Sequence, residues 1–152
     1  MCIRDSSGKA GTKVRLRFGE VLKPDGDVYT ENLRTAEATD TYILRGGGDE
    51  VFEPHFTFHG FRYIQLTGFP GTPARDAVEG IAFYTSAPFT MKFHTANNTL
   101  NQLWSNILWG QRGNFLSVPT DCPQRDERLG WMGDAEVFWR TATCLLYTSR
   151  CV

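Results

Sequence analysis

The sequence changes its hydrophobic period once, near Thr95. Ahead of that point apolar residues alternate in short runs; beyond it they recur three and four positions apart. Strand side chains alternate between faces, whereas helix side chains return to one face every three or four residues, so the two patterns belong to different elements. The chain is therefore expected to build sheet first and helix second.

The sheet-forming part carries "VRLRF", "DTYILR", "FTFHGFRYIQLTG", "GIAFYTSA" and "FTMKFH", separated by the turn-forming segments "KPDGDV", "RGGGDE" and "GFPGTPARD". Short β-branched and aromatic runs punctuated by Gly, Pro and Asp predict an antiparallel β-sandwich. "RGGGDE" reads as a turn and not as a phosphate cradle, because neither Lys-Ser or Lys-Thr nor a helix follows it.

Past Thr95, residues Leu100, Leu103, Trp104, Ile107, Leu108 and Gln111 lie on one helical stripe, with Asn97 or Asn98 able to cap its start and Gly113 its end. A second helix is expected to start at Asp134, whose carboxylate would cap the free amides, and to run through Ala135, Val137, Phe138 and Ala142. Between them lies "PTDCPQRDERLGWMGDAEVFW", kept irregular by Pro119, Pro123, Gly130 and Gly133.

The chain has 152 residues, 41% of them hydrophobic, and a formal net charge of −1. That is the length of one ordinary domain, and the balance gives no reason to expect nucleic acid as a partner. No run reaches the roughly 18 apolar residues of a spanning helix, so no membrane is expected either. The ends are unusual. Met1–Ser6 can be encoded by DNA whose reverse complement encodes Cys144–Thr148, and both resemble a transposon-end adapter used in making sequencing libraries. Residues 1–6 and 144–152 are therefore expected to be adapter-derived tails, and the rest to be cut at both ends. Cys2, Cys144 and Cys151 fall in those tails, which leaves Cys122 without a partner for a disulfide or a cysteine zinc site.

The loop at 119–139 is where chemistry is expected. Asp121, Asp126, Glu127 and Asp134 are more carboxylates than a helix connection needs, and Trp131 and Trp139 offer flat apolar faces. Carboxylates that bind hydroxyl pairs beside an aromatic platform suit a sugar or polyol. Arg125 and Arg128 could hold neighbouring carboxylates ionised, while a carboxyl against Trp131 could be raised enough to act as a general acid. A surface loop laced with Arg and Asp ion pairs is the other reading of the same residues.

The run "SVPTDCPQRDERLGWMGDAEVF", with "LWGQRGNF" before it, resembles the signature region of bacterial α-L-rhamnosidases of glycoside hydrolase family 78. Upstream, "GDVYTENLRTAEATDTYILRGGGDEVFEPHFTFHGFRYIQLTG" is similar to the β-sandwich that precedes the catalytic barrel of those enzymes. The resemblance implies an antiparallel β-sandwich over 7–94, followed over 95–143 by the first helices of an (α/α)6 six-hairpin barrel. It implies an inverting hydrolase that removes terminal α-L-rhamnose from a glycoside or oligosaccharide, with no cofactor and no metal. Glu127 of "RDER" matches the general acid. Asp121 and Asp134 match residues that bind rhamnose hydroxyls, and Arg125 and Trp131 match positions lining the sugar subsite. Asp126 has no role beyond loop structure, and Cys122 reads as a small buried residue. Met132 and Glu136 depart from the Thr and Gln common in the motif, and leave the acid intact. The general base of the family lies beyond Thr143, so this chain is expected to be inactive alone and, with few of the barrel helices present, prone to aggregate.

Three further features have plainer readings. His55 and His59 would share a strand face, but no third ligand is suitably spaced, so packing or hydrogen bonding is expected of them. Phe56, Phe58, Phe61 and Tyr63 read as sandwich core, and "NNT" at 97–99 is a formal glycosylation acceptor. A non-catalytic carbohydrate-binding sandwich with a helical extension is the alternative to the enzyme.

Overall fold

The computed structural model describes residues 2–89 and 91–145, with side chains from Ser7 onward. The expected tail at 144–152 thus lies outside the described residues from 146 on. The chain forms two units, Met1–Ala82 with Gln124–Asp126, and Phe83–Pro123 with Glu127–Val152.

The first unit holds strands β1 (Cys2–Ser7), β2 (Lys13–Gly19), β3 (Thr39–Ile43), β4 (Asp49–Phe52), β5 (Tyr63–Thr67) and the short β6 (Val78–Glu79). They form two antiparallel sheets, ordered β4-β1-β6 and β3-β2-β5. Alternation in "VRLRF" sets the core: Val14, Leu16 and Phe18 are fully buried, while Lys13 and Arg15 point to solvent. Leu16 faces Asp40 on β3 and Leu66 on β5, and Phe18 faces Ile64. Leu44 completes the cluster, with Phe52 of the other sheet packed on it and stacked on Tyr42 at 4.7 Å. Burying side chains of this size contributes about 1.5–3 kcal/mol each.

The turn expected at "RGGGDE" forms, with Gly46, Gly47 and Gly48 all at positive φ. It is closed by the buried Glu50, whose carboxylate accepts from the backbone N–H groups of Gly46 (2.7 Å) and Arg45 (3.1 Å) and from the Tyr42 hydroxyl. The Tyr42 hydrogen bond is the largest cause holding Glu50 below its ordinary pKa, against the raising effect of burial.

The long run at 56–68 is only partly a strand. Residues 53–62 are irregular, and Phe56, at φ 58 and fully exposed, interrupts the extended backbone. His55 and His59 therefore do not share a strand face. His59 instead stacks on Phe18 at 4.2 Å and meets Asp40 Oδ1 at 3.0 Å, whereas His55 stands edge-on to Phe56. The expected core role of Phe56 fails for the same backbone reason.

In the second unit helix α1 spans Asn98–Asn114, capped by Asn97, whose side-chain oxygen accepts from Thr99 N (2.9 Å) and Leu100 N (3.3 Å). Helix α2 spans Met132–Leu145, so Asp134 lies within the first turn and not at the cap. A carboxylate there still favours the helix, through the positive end of its dipole. The expected strands at 80–87 and 89–94 are not regular strands among the described residues. Their aromatics serve another purpose: the Arg112 guanidinium of α1 lies over the rings of Tyr84 (4.9 Å), Phe89 (5.0 Å) and Trp109 (4.7 Å).

Candidate active site

The site is built where α1 runs out. Asn114 donates from Nδ2 to Gly110 O at 2.8 Å, and its own carbonyl accepts from Thr120 N (2.8 Å) and Thr120 Oγ1 (3.1 Å). Between these two residues the chain makes a tight hairpin of β7 (Phe115–Leu116) and β8 (Val118–Pro119). Ser117 at its tip takes φ 67, and its N–H donates to Thr85 Oγ1 at 2.7 Å. The hairpin delivers Asp121 beside the end of α1, and the chain then passes through Gly130 into α2, whose second residue is Gly133.

A cavity of about 350 Å³ opens between the end of α1, the hairpin and the first turns of α2. Asp121 and Asp134 both line it, together with Gln111, Asn114, Phe115 and Phe138. Two of the carboxylates singled out in the sequence are thus brought to one cavity by separate elements.

Asp121 is the most constrained of them. The buried Cys122 thiol donates to its Oδ2 at 3.2 Å, while Oδ1 is buried without a hydrogen-bond partner. Burial raises its pKa, but hydrogen bonds from Cys122, from backbone N–H groups and from Glu127 outweigh that, and the net direction is down. Glu127 is half-buried, and one donor atom each of Asp121, Cys122 and Glu127 lie within 4.8 Å of one another. That spacing could suit a metal ion. As it stands Cys122 donates to Asp121, and a metal ion ligated there would have to displace that proton.

The remaining expected residues are dispersed. Trp131, 50% exposed, immediately precedes α2. Arg125 is half-buried and belongs with Gln124 and Asp126 to the sandwich unit. In that unit Asp126 accepts from the N–H (3.3 Å) and hydroxyl of Thr35, the hydroxyl being the largest cause of its lowered pKa. Asp126 is thus a loop fastener, as expected. Cys122 is 7% exposed, a small buried residue as expected. Gln111, which the sequence placed only on the apolar stripe, also lines the cavity. Its place on the apolar stripe hid it, although a polar side chain on such a stripe was the available signal.

Residues 1–84 match the family model of the bacterial alpha-L-rhamnosidase concanavalin-like domain, and residues 88–152 match that of the bacterial alpha-L-rhamnosidase 6 hairpin glycosidase domain. The chain belongs to the bacterial α-L-rhamnosidase family. Its fold class is that of the family, an antiparallel β-sandwich followed by the first helices of a six-hairpin (α/α)6 domain. An α-L-rhamnosidase of Streptomyces avermitilis is 62% identical over 144 residues, covering 95% of this chain and 14% of that relative. One of Formosa agariphila is 50% identical over 136 residues, covering 88% of this chain and 15% of that relative. The chain therefore spans about one-seventh of the length of these α-L-rhamnosidases.

Solved α-L-rhamnosidases share the fold. The Streptomyces avermitilis enzyme complexed with L-rhamnose matches 95% of this chain and 14% of its own, with TM-score 0.91 and 62% identity. The enzyme of Dictyoglumus thermophilum matches 96% of this chain and 16% of its own, with TM-score 0.92 and 42% identity.

Proposed function

We propose that this chain supplies the acid side of an inverting α-L-rhamnosidase active site, acting on terminal α-L-rhamnose of a glycoside or oligosaccharide. Glu127 is the general acid that protonates the leaving glycosidic oxygen. Asp121 and Asp134 hold rhamnose hydroxyls, Trp131 offers a face for the ring, and Arg125 completes the subsite.

The observation that carries this reading is the close approach of Asp121 and Glu127, one oxygen of each within 4.8 Å, beside a cavity that Asp121 and Asp134 share. The lowered pKa of Asp121 marks it as a fixed anion at this place. A general acid placed next to such an anion is positioned to protonate a departing oxygen.

The same pair excludes a role for Asp121 as the base. An inverting glycosidase keeps acid and base roughly 6.5–9.5 Å apart, to leave room for water on the far face of the sugar. Donor atoms of Asp121 and Glu127 lie within 4.8 Å, too close for that arrangement. The base is supplied by chain beyond Thr143, and the 152-residue chain binds L-rhamnose without hydrolysing an aryl α-L-rhamnoside.

The test pairs binding with turnover on the pure chain. Calorimetric titration with L-rhamnose should show binding that Asp121→Asn or Asp134→Asn weakens by about tenfold or more, the loss of one charged hydrogen bond. No aryl rhamnoside should be cleaved. Absence of binding, or clear hydrolysis by the chain alone, would contradict the assignment.

A further inference from the structure

Gln111 occupies the helix α1 stripe otherwise filled by Leu, Trp and Ile, and at 3% exposure it is more deeply buried than Leu100 (44%) or Leu103 (52%) on the same stripe. Neither Oε1 nor Nε2 of its side chain has a hydrogen-bond partner. A buried polar group left unpaired costs about 1–3 kcal/mol, so a Leu at this position would stabilise the helix better. Gln111 is one of the residues lining the cavity that Asp121 and Asp134 share.

Two more residues that line the cavity each carry a buried, unpartnered atom, Asn114 Oδ1 and Asp121 Oδ1. Three of these four unpaired atoms are acceptors, and the Gln111 amide is the donor. A ligand that satisfies such a set must bring several O–H donors and at least one acceptor, which is what neighbouring hydroxyls on a sugar ring bring. Anions are disfavoured, because the two ionisable side chains lining the cavity are the carboxyl groups of Asp121 and Asp134.

We propose that Gln111 is a sugar-binding residue of this cavity, its Oε1 accepting from one ring hydroxyl and its Nε2 donating to a neighbouring one. The proposal rests on the reading of the cavity as a rhamnose subsite. It adds a contact from α1 to the carboxylates supplied by the loop and α2, so that the sugar is held from both helices.

The experiment titrates the full 152-residue chain with L-rhamnose by ¹H–¹⁵N NMR, following the side-chain NH₂ signals of Gln111, with thermal melts recorded in parallel. The unsubstituted chain should bind, and those NH₂ signals should shift on titration. Gln111→Met should weaken binding by about tenfold or more without lowering Tm, as expected for loss of a hydrogen-bonded contact. Gln111→Glu keeps the size and one acceptor, and decides the matter if the Met variant fails to fold: weaker binding by a folded Glu variant supports the contact. Binding by the chain with unmoved Gln111 signals, or with equal affinity in the folded variants, overturns the Gln111 proposal and leaves the rhamnose subsite standing. No binding by the unsubstituted chain overturns both.

Discussion

Cys122 donates its thiol proton to Oδ2 of Asp121 at 3.2 Å, from a position only 7% exposed. This contact helps keep Asp121 ionised against its own burial. Sugar binding that needs the Asp121 anion is complete above its lowered pKa and is lost as pH falls through it. Cys122→Ala removes one lowering cause, so the loss should begin at a higher pH, whereas Cys122→Ser keeps a donor and should retain the original profile. L-rhamnose affinity measured from neutral pH downward checks this; identical profiles for all three proteins would contradict it.

The buried Glu50 gives the sandwich a related acid sensitivity. Its folded pKa is lowered, so its contribution to stability is present above the ordinary carboxylate range and is lost as pH falls through the folded value. Tyr42→Phe removes the largest lowering cause. The acid-unfolding midpoint should therefore move to higher pH, read by tryptophan-independent far-UV circular dichroism of the sheet.

Gly68 should tolerate no side chain. Its φ is 75, and a Cβ built there would lie 2.2 Å from the Lys13 carbonyl oxygen, a backbone atom. Gly68→Ala must shift the end of β5 against β2, at a cost of about 1–3 kcal/mol in denaturant unfolding. Gly71, also at positive φ but with open space around it, should cost less on the same change.

Arg112 should hold the aromatic segment before α1 in place. Its guanidinium lies within 5.0 Å of the ring centres of Tyr84, Phe89 and Trp109. Arg112→Met keeps much of the aliphatic stem and loses the cation, which should cost about 1–2 kcal/mol in stability. Arg112→Lys should recover only part of it, since an ammonium cannot stack flat on several rings.

Much of this architecture was legible because it is local. The alternation of Val14, Leu16 and Phe18 gave β2 its buried face, and Asn97 marked the start of α1 within one residue. The segments that misled were those whose partners are distant in sequence. Residues 80–94 have strand-like composition, but Tyr84 and Phe89 pack on Arg112. Asp126 is tied to Thr35, 91 positions away, and no spacing rule announces that contact. At the site, the clustering of carboxylates was visible in the loop itself. The meeting of Asp121 and Asp134 with Gln111 depends on how the hairpin at Ser117 returns the chain to α1, which periodicity does not encode.

The central claim is that Glu127 is the general acid, and dependence on the leaving group tests it most directly. In a protein that joins this segment to the rest of a six-hairpin domain, Glu127→Gln should lower turnover of an alkyl α-L-rhamnoside by about 10²–10⁴-fold, because that leaving group needs a proton. A rhamnoside with a highly activated aryl leaving group should lose far less, and L-rhamnose binding should persist. Equal losses on both substrates, or undiminished turnover of the alkyl rhamnoside, would contradict the assignment.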